Sequence, residues 1–223
     1  EMCIRDRYPI IEKNNIEFEN DQSNHCIWSD IVFNTDTLRI FNTHLGSIRF
    51  NHSDYNIIGG KGSPLWPHQK IPKQDIINRL KIGFIKRSQQ LKELLPIIDK
   101  SPFKKIICCD LNDTPISYAY NQFNNNYKDA FTISGLGIGG TYIGKVPFLR
   151  IDYIWHDKNF ESMNFKTKLC ISERTGRKVR TDHAAAFVYP NAYSSCSHAF
   201  PCAAPGSSRC VSVFSLMMQG WES

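Results

Sequence analysis

Hydrophobic and polar residues alternate first over Ile27 to Phe33, where Ile27, Ser29, Ile31 and Phe33 share one face and Trp28, Asp30 and Val32 the other. That period of two predicts a strand. After turn-forming Asn34-Thr35-Asp36 a second strand, Thr37 to Phe41, sets Leu38, Ile40 and Asn42 against Arg39, Phe41 and Thr43 and delivers His44 where the alternation ends. Asn51 to Pro72, rich in Gly, Pro and His, reads as loop. Lys73 to Lys100 spaces Ile76, Ile77, Leu80, Phe84, Leu91, Leu94, Leu95 and Ile98 as one buried stripe of a helix with a basic outer face, which Pro96 kinks or ends.

KKIICCDLND, Lys104 to Asp113, predicts a buried strand that runs into a polar turn at Pro115 and then a short helix through Tyr118. Gly135 to Gly144 is a glycine-rich loop, and it is not a dinucleotide fingerprint because no strand-then-helix unit frames it. Phe148 to His156 alternates again, with Leu149, Ile151, Tyr153 and Trp155 opposed to Arg150, Asp152, Ile154 and His156. In Arg180 to Tyr189, polar Thr181-Asp182-His183 precede a final apolar strand. This order of strands, helix, strand, helix and strands predicts a layered α/β (α+β) domain.

The ends read differently from the middle. Residues 1–6 resemble a non-native leader, and residues 190–223 mix Ser, Ala, Pro and Cys without any period, so disorder or a non-native tail is expected there. The domain is therefore placed at residues 7–189. The whole chain of 223 residues is 41% apolar and 22% charged, an ordinary globular composition for one domain. No apolar run nears the roughly 20 residues of a membrane span, so a soluble chain is expected, cytoplasmic rather than secreted. Lys plus Arg exceeds Asp plus Glu by 27 − 21 = 6. This mild excess fits a phosphate-bearing partner and equally fits proteins that bind nothing acidic. The eight cysteines have neither zinc nor disulfide spacing; Cys26, Cys108, Cys109 and Cys170 read as buried reduced thiols.

Four strand ends present polar chemistry: His44; Asp110 with Asn112; Asp152; and Asp182 with His183. Each alone has a plain account as a turn former, a cap or a surface pair. Asp110 lies between Cys109 and Leu111, however, and Asp152 between Ile151 and Tyr153. An ionised carboxylate held among apolar strand residues needs a partner or a metal.

The motifs FNTHLGS, CCDLNDTP, FLRIDYIW and RTDHAA resemble, in this order, the NxHL, GDxN, RIDY and SDH motifs of the endonuclease/exonuclease/phosphatase superfamily, the DNase I-like metal-dependent phosphohydrolases. The resemblance runs from Arg7 to Tyr189 and implies a four-layer α/β/β/α sandwich whose first part is missing here. Cys109 stands where the family has Gly, and Thr181 where it has Ser. The resemblance implies that Asp110 activates water, Asn112 donates to the phosphate and His44 serves the leaving group as acid or ligand. It further implies that His183 contacts the phosphate, oriented by Asp152, and that Asp182 holds Mg²⁺ (or Mn²⁺) with a glutamate upstream of this chain. None of Glu1, Glu12, Glu17 or Glu19 carries that last role.

The implied activity is divalent-metal-dependent hydrolysis of a phosphodiester, impaired in this shortened form. The alternatives are a phosphomonoesterase of the same fold, or a non-catalytic fragment that only binds phosphate. Substrates in view are nucleic acid, a phospholipid headgroup or an inositol phosphate, and no protein partner is inferred. Arg87 and Gln90, three apart on the long helix, are expected to make structural hydrogen bonds. Tyr118 and Tyr120 are read as packing residues, and Trp66 as part of a substrate-side loop.

Overall fold

The computed structural model describes residues 8–19, 21–33, 35–48, 73–142, 148–163, 165, 167, 170–172, 179–181 and 188–190. Six strands form one mixed sheet in the order β1-β2-β3-β4-β6-β5. They are β1 (Ile10–Phe18), β2 (Asp21–Phe33), β3 (Asp36–His44), β4 (Lys104–Asp110), β5 (Lys128–Asp129) and β6 (Asp152–His156). Among the described residues three helices accompany them: α1 (Lys73–Asp99), α2 (Tyr118–Asn126) and α3 (Ala130–Ser134). Two short ribbons complete the described chain, β7 (Phe160–Ser162) with β10 (Val188–Pro190), and β8 (Cys170–Ser172) with β9 (Val179–Thr181). This mixed α/β architecture is the class read from the sequence.

β1, β2 and β3 form an antiparallel meander, whereas β3 and β4 run parallel because α1 carries the chain back between them. β6 then returns antiparallel to β4. The sheet's two faces bury different clusters. On one face Phe41, Ile107 and Trp155 pack beneath Leu91, Leu94 and Ile98 of α1 and Phe123 of α2. Trp155 stacks on Phe123 at 4.5 Å and on Tyr153 at 4.8 Å. Burying each such side chain stabilises the fold by about 1.5–3 kcal/mol. On the other face Leu38, Ile106, Cys108 and Ile154 meet Ala130, Phe160 and Phe165.

Cys108 and Cys109 separate onto these two faces, as alternation requires, and both are free and buried, as is Cys26. Burial pushes the thiols of Cys26 and Cys108 up to about 12 and that of Cys109 well above its ordinary value. Tyr120 is buried while Tyr118 is exposed, so only the first is a packing residue. No helix among the described residues is long and apolar enough to cross a membrane.

Several boundaries differ from the sequence reading. β1 was not visible as a strand because it is a largely exposed edge carrying Glu12, Lys13 and Glu17. β2 starts at Asp21 rather than Ile27, lengthened by its pairing with β1. α1 runs on through Pro96 to Asp99; that proline is exposed and the helix ends shortly after it. Ile77 and Phe84 are exposed, and the buried positions of this part of α1 are Ile76, Gly83, Arg87 and Gln90. β6 begins only at Asp152: Phe148 takes φ of 68°, and the peptide nitrogens of Ile151 and Asp152 turn to Thr141 Oγ1 instead of a neighbouring strand.

His156, fully buried in β6, joins the main sheet to β7. Its Nδ1 lies 2.8 Å from the Asp157 carbonyl oxygen, which accepts only, so Nδ1 carries the hydrogen. Nε2 then accepts from the Ser162 hydroxyl at 2.6 Å. Burial, aided by Lys128, lowers the His156 pKa against the opposing pull of Asp157 and Asp129. The unfolded chain therefore binds a proton near pH 6.5 that the folded chain resists, and stability falls as pH drops below that value. Urea unfolding at pH 7.5, 6.5 and 5.5 is expected to show this decline, at most about 1.4 kcal/mol per pH unit from this one group. His156→Gln is expected to flatten the slope by that amount; an unchanged slope in the variant would refute the assignment.

Candidate active site

The candidate chemistry collects where β3 and β4 end and β6 begins. In the parallel β3–β4 pair His44 stands opposite Asp110, and in the antiparallel β4–β6 pair Asp110 stands opposite Asp152. The register thus sets three side chains side by side on one face of the sheet. The Leu111 N–H donates to Ile151 O at 2.8 Å and the Asp157 N–H to Lys105 O at 3.2 Å. Ladder bonds to β6 therefore fall on the odd residues of β4. Asp110 and Asp152 form a non-hydrogen-bonded pair, whose Cα atoms approach to about 4.5 Å and whose side chains lie closest.

Asp110 is fixed by its surroundings. Its Oδ1 accepts the Asn112 N–H at 3.0 Å, and its Oδ2 lies 3.6 Å from His44 Nε2. Its carbonyl oxygen accepts the Leu45 N–H at 2.9 Å, which joins the turn after β3 to the end of β4. His44 remains partly open to solvent, with 27% of its side chain exposed, whereas Asp152 is buried. Directly opposed carboxylates repel, and a cation or a shared proton relieves that repulsion.

Asn112 sits at φ of 51°, a left-handed conformation that Asn tolerates better than most residues. From there its side-chain amide donates to Leu45 O at 2.9 Å. One of the two N–H donors of the amide that the family resemblance assigns to a phosphate thus holds two turns together. His183, Asp182 and Trp66 lie outside the described residues.

Further polar residues buttress this edge. Arg87 is fully buried; its Nε donates to Asp113 Oδ2 at 3.0 Å, and Nη2 contacts the same oxygen at 2.8 Å. Burial draws the Arg87 pKa down, opposed by Asp113 and Asp110. The Tyr153 hydroxyl lies 2.9 Å from Asp113 O and 2.8 Å from Arg150 O, spanning the segments on both sides of the site. Arg150 pairs with Asp129 at 2.7 Å between the rings of Phe131 and Tyr153, not with Asp152. Thr141 Oγ1 receives the N–H groups of Ile151 and Asp152, both at 3.1 Å. The role of Thr141 was not read from the sequence; its position within the glycine-rich loop, directly after Gly140, was the available signal.

Among the described residues no group of three or more His, Cys, Asp or Glu is gathered to hold a metal ion. The two opposed carboxylates, Asp110 and Asp152, are nevertheless hard oxygen donors of the number Mg²⁺ takes when waters and substrate phosphate complete its shell.

No protein-family model matches the sequence, and no curated protein matches it. Solved structures do match its fold. TDP2 of D. rerio complexed with a single-strand DNA product is 16% identical, with a TM-score of 0.51 over 80% of this chain and 66% of that one. An endonuclease/exonuclease/phosphatase family protein from Bacteroides thetaiotaomicron is 14% identical, with a TM-score of 0.50 over 83% of this chain and 64% of that one. The human Nocturnin catalytic domain is 16% identical, with a TM-score of 0.43 over 71% of this chain and 52% of that one. The chain spans about half to two thirds of the length of these structures. With its mixed sheet, its helical layer and His44, Asp110 and Asp152 on one edge, the chain has the DNase I-like fold of the endonuclease/exonuclease/phosphatase proteins.

Proposed function

We propose that this chain carries the catalytic edge of a divalent-metal-dependent phosphohydrolase that cleaves a phosphodiester. The observation that carries the reading is the alignment of His44, Asp110 and Asp152 on one sheet face by strand register alone. Hydrolysis of a phosphate ester requires an activated water, neutralisation of charge on the phosphoryl oxygens and a proton for the departing oxygen. Asp110 and Asp152, with Asp182 of the RTDHAA motif, would hold a Mg²⁺ or Mn²⁺ ion, which would supply the charge neutralisation.

The protein's own groups supply the rest. Asp110, held by the Asn112 N–H, orients the water and accepts its proton. His44, 3.6 Å from Asp110 and open to solvent, protonates the leaving oxygen. The family resemblance would pair Asp152 with His183, the carboxylate fixing the ring tautomer and favouring the imidazolium. Among substrates a nucleic acid comes first, because the D. rerio neighbour holds a single-strand DNA product. A phospholipid headgroup and inositol phosphates follow.

Mn²⁺ titrated into ¹⁵N-labelled protein is expected to broaden the amide signals of Asp110, Asp152 and His44 before others. Broadening centred elsewhere in the sheet would remove the cation from this edge. With Mg²⁺ present, cleavage of single-stranded DNA, sphingomyelin, inositol phosphates and p-nitrophenyl phosphate separates diesterase from monoesterase chemistry. Asp110→Asn and Asp152→Asn are each expected to lower the rate on the preferred substrate by about 10²–10⁴-fold. Turnover within threefold of the parent would exclude that residue from the mechanism.

A further inference from the structure

The buried face of α1 spends three side chains on a single glycine. Gly46 lies two residues beyond His44, and its N–H donates to Gln90 Oε1 at 2.9 Å. Its carbonyl oxygen accepts from Arg87 Nη1 at 2.8 Å. The stem of Lys86 packs so closely over it that an added Cβ would meet Lys86 Cδ at 2.8 Å. Each of the three helix residues is itself tethered at its far side. Gln90 Nε2 donates to Asp21 Oδ2 at 2.8 Å, and Lys86 pairs with the same carboxylate at 2.7 Å. Burial raises the Asp21 pKa, but hydrogen bonds from Lys86, Asn24 and the Ser23 N–H outweigh it and hold the carboxyl below its ordinary value. Arg87 reaches across to Asp113, in the turn that follows Asp110 and Asn112. Gly83, one turn earlier, leaves room for Ile48, whose Cγ1 lies 2.8 Å from where a Cβ would stand.

A helix needs none of this for its own stability. Apolar residues at these positions would bury as well and cost less desolvation. What the network secures is position: the turn after β3 is held to α1 through Gly46, and the turn after β4 to the same helix through Asp113. We propose that Gln90 and Arg87 are positioning residues that set His44 against Asp110. They touch neither reacting group; they act through Gly46 and Asp113. The inference rests on the proposed phosphohydrolase reading for its consequence in catalysis, and on geometry alone for its effect on His44.

The test uses the full chain and Gln90→Met, which keeps the volume of the side chain and removes both hydrogen bonds. Three readouts are taken: exchange of the Gly46 amide, the imidazole ¹H–¹³C signals of His44 with those of His156 as an internal reference, and Mg²⁺-dependent cleavage of the preferred substrate. Gly46 exchange is expected to accelerate about tenfold. The His44 signals are expected to move while those of His156 stay in place. In catalysis kcat is expected to fall by about 10–100-fold with KM within twofold of the parent. If Gln90→Met does not fold, Arg87→Lys, which keeps the charge opposite Asp113 and gives up the forked contact, is read in the same way. His44 signals superimposable on the parent's, or an unchanged kcat in a protein that cleaves the substrate, would overturn the proposal. A parent chain that cleaves no substrate would instead count against the phosphohydrolase reading, and the amide exchange and His44 signals would still decide the positioning role.

Discussion

Strand register is the constraint on which the rest depends. β4 pairs parallel with β3 and antiparallel with β6, so the end of one, the end of the second and the start of the third meet at one edge. Side chains alternate along a strand, and a slip of one residue would send Asp110 and Asp152 to opposite faces. The core enforces the register: Ile107 and Trp155 face the helices, and Cys108 and Ile154 face the other way. Two hydrophobic clusters thereby fix the place of a polar site.

Polar buttresses refine what the register sets. Asp113 with Arg87 and Asp129 with Arg150 are buried ion pairs, each in a setting where charge is costly unless fully partnered. Both sit in segments that flank the candidate site: Asp113 follows Asn112, and Arg150 precedes Asp152 by two residues. The hydroxyl of Tyr153 joins the two segments by contacting the backbone oxygens of Asp113 and Arg150. Thr141 then supplies the hydrogen-bond acceptor that lets β6 begin at Asp152 without a strand partner for its first N–H. The edge is a set of short turns braced from behind.

Much of this was legible in the residues. His44, Asp110 and Asp152 each interrupt an apolar alternation at a point where the chain must turn, and buried carboxylates in such places demand an explanation. The paired adjacent cysteines, the long helix and the order of strands were equally readable. What was not readable was contact. The three-residue spacing of Arg87 and Gln90 places them on one helix face, but nothing in sequence says that Gly46 and Asp113 wait there. That Asn112 takes a positive φ and donates one amide N–H to Leu45 O is likewise a contact the sequence does not show. β1 escaped notice because an exposed edge strand is charged along its length. The apolar count of α1 misplaced Ile77 and Phe84; Arg87, one turn on from Phe84, is buried in a polar network instead.

The most direct measurement of the central claim is the nuclear Overhauser contact between the α-protons of Asp110 and Asp152. In a non-hydrogen-bonded antiparallel pair these protons point at each other across the ladder. A strong Asp110–Asp152 α-proton cross-peak, accompanied by one between Cys108 and Ile154, is the predicted result. Cross-peaks pairing Asp110 with Ile151 or Tyr153 instead would shift the ladder by one residue, part the two carboxylates and contradict the account.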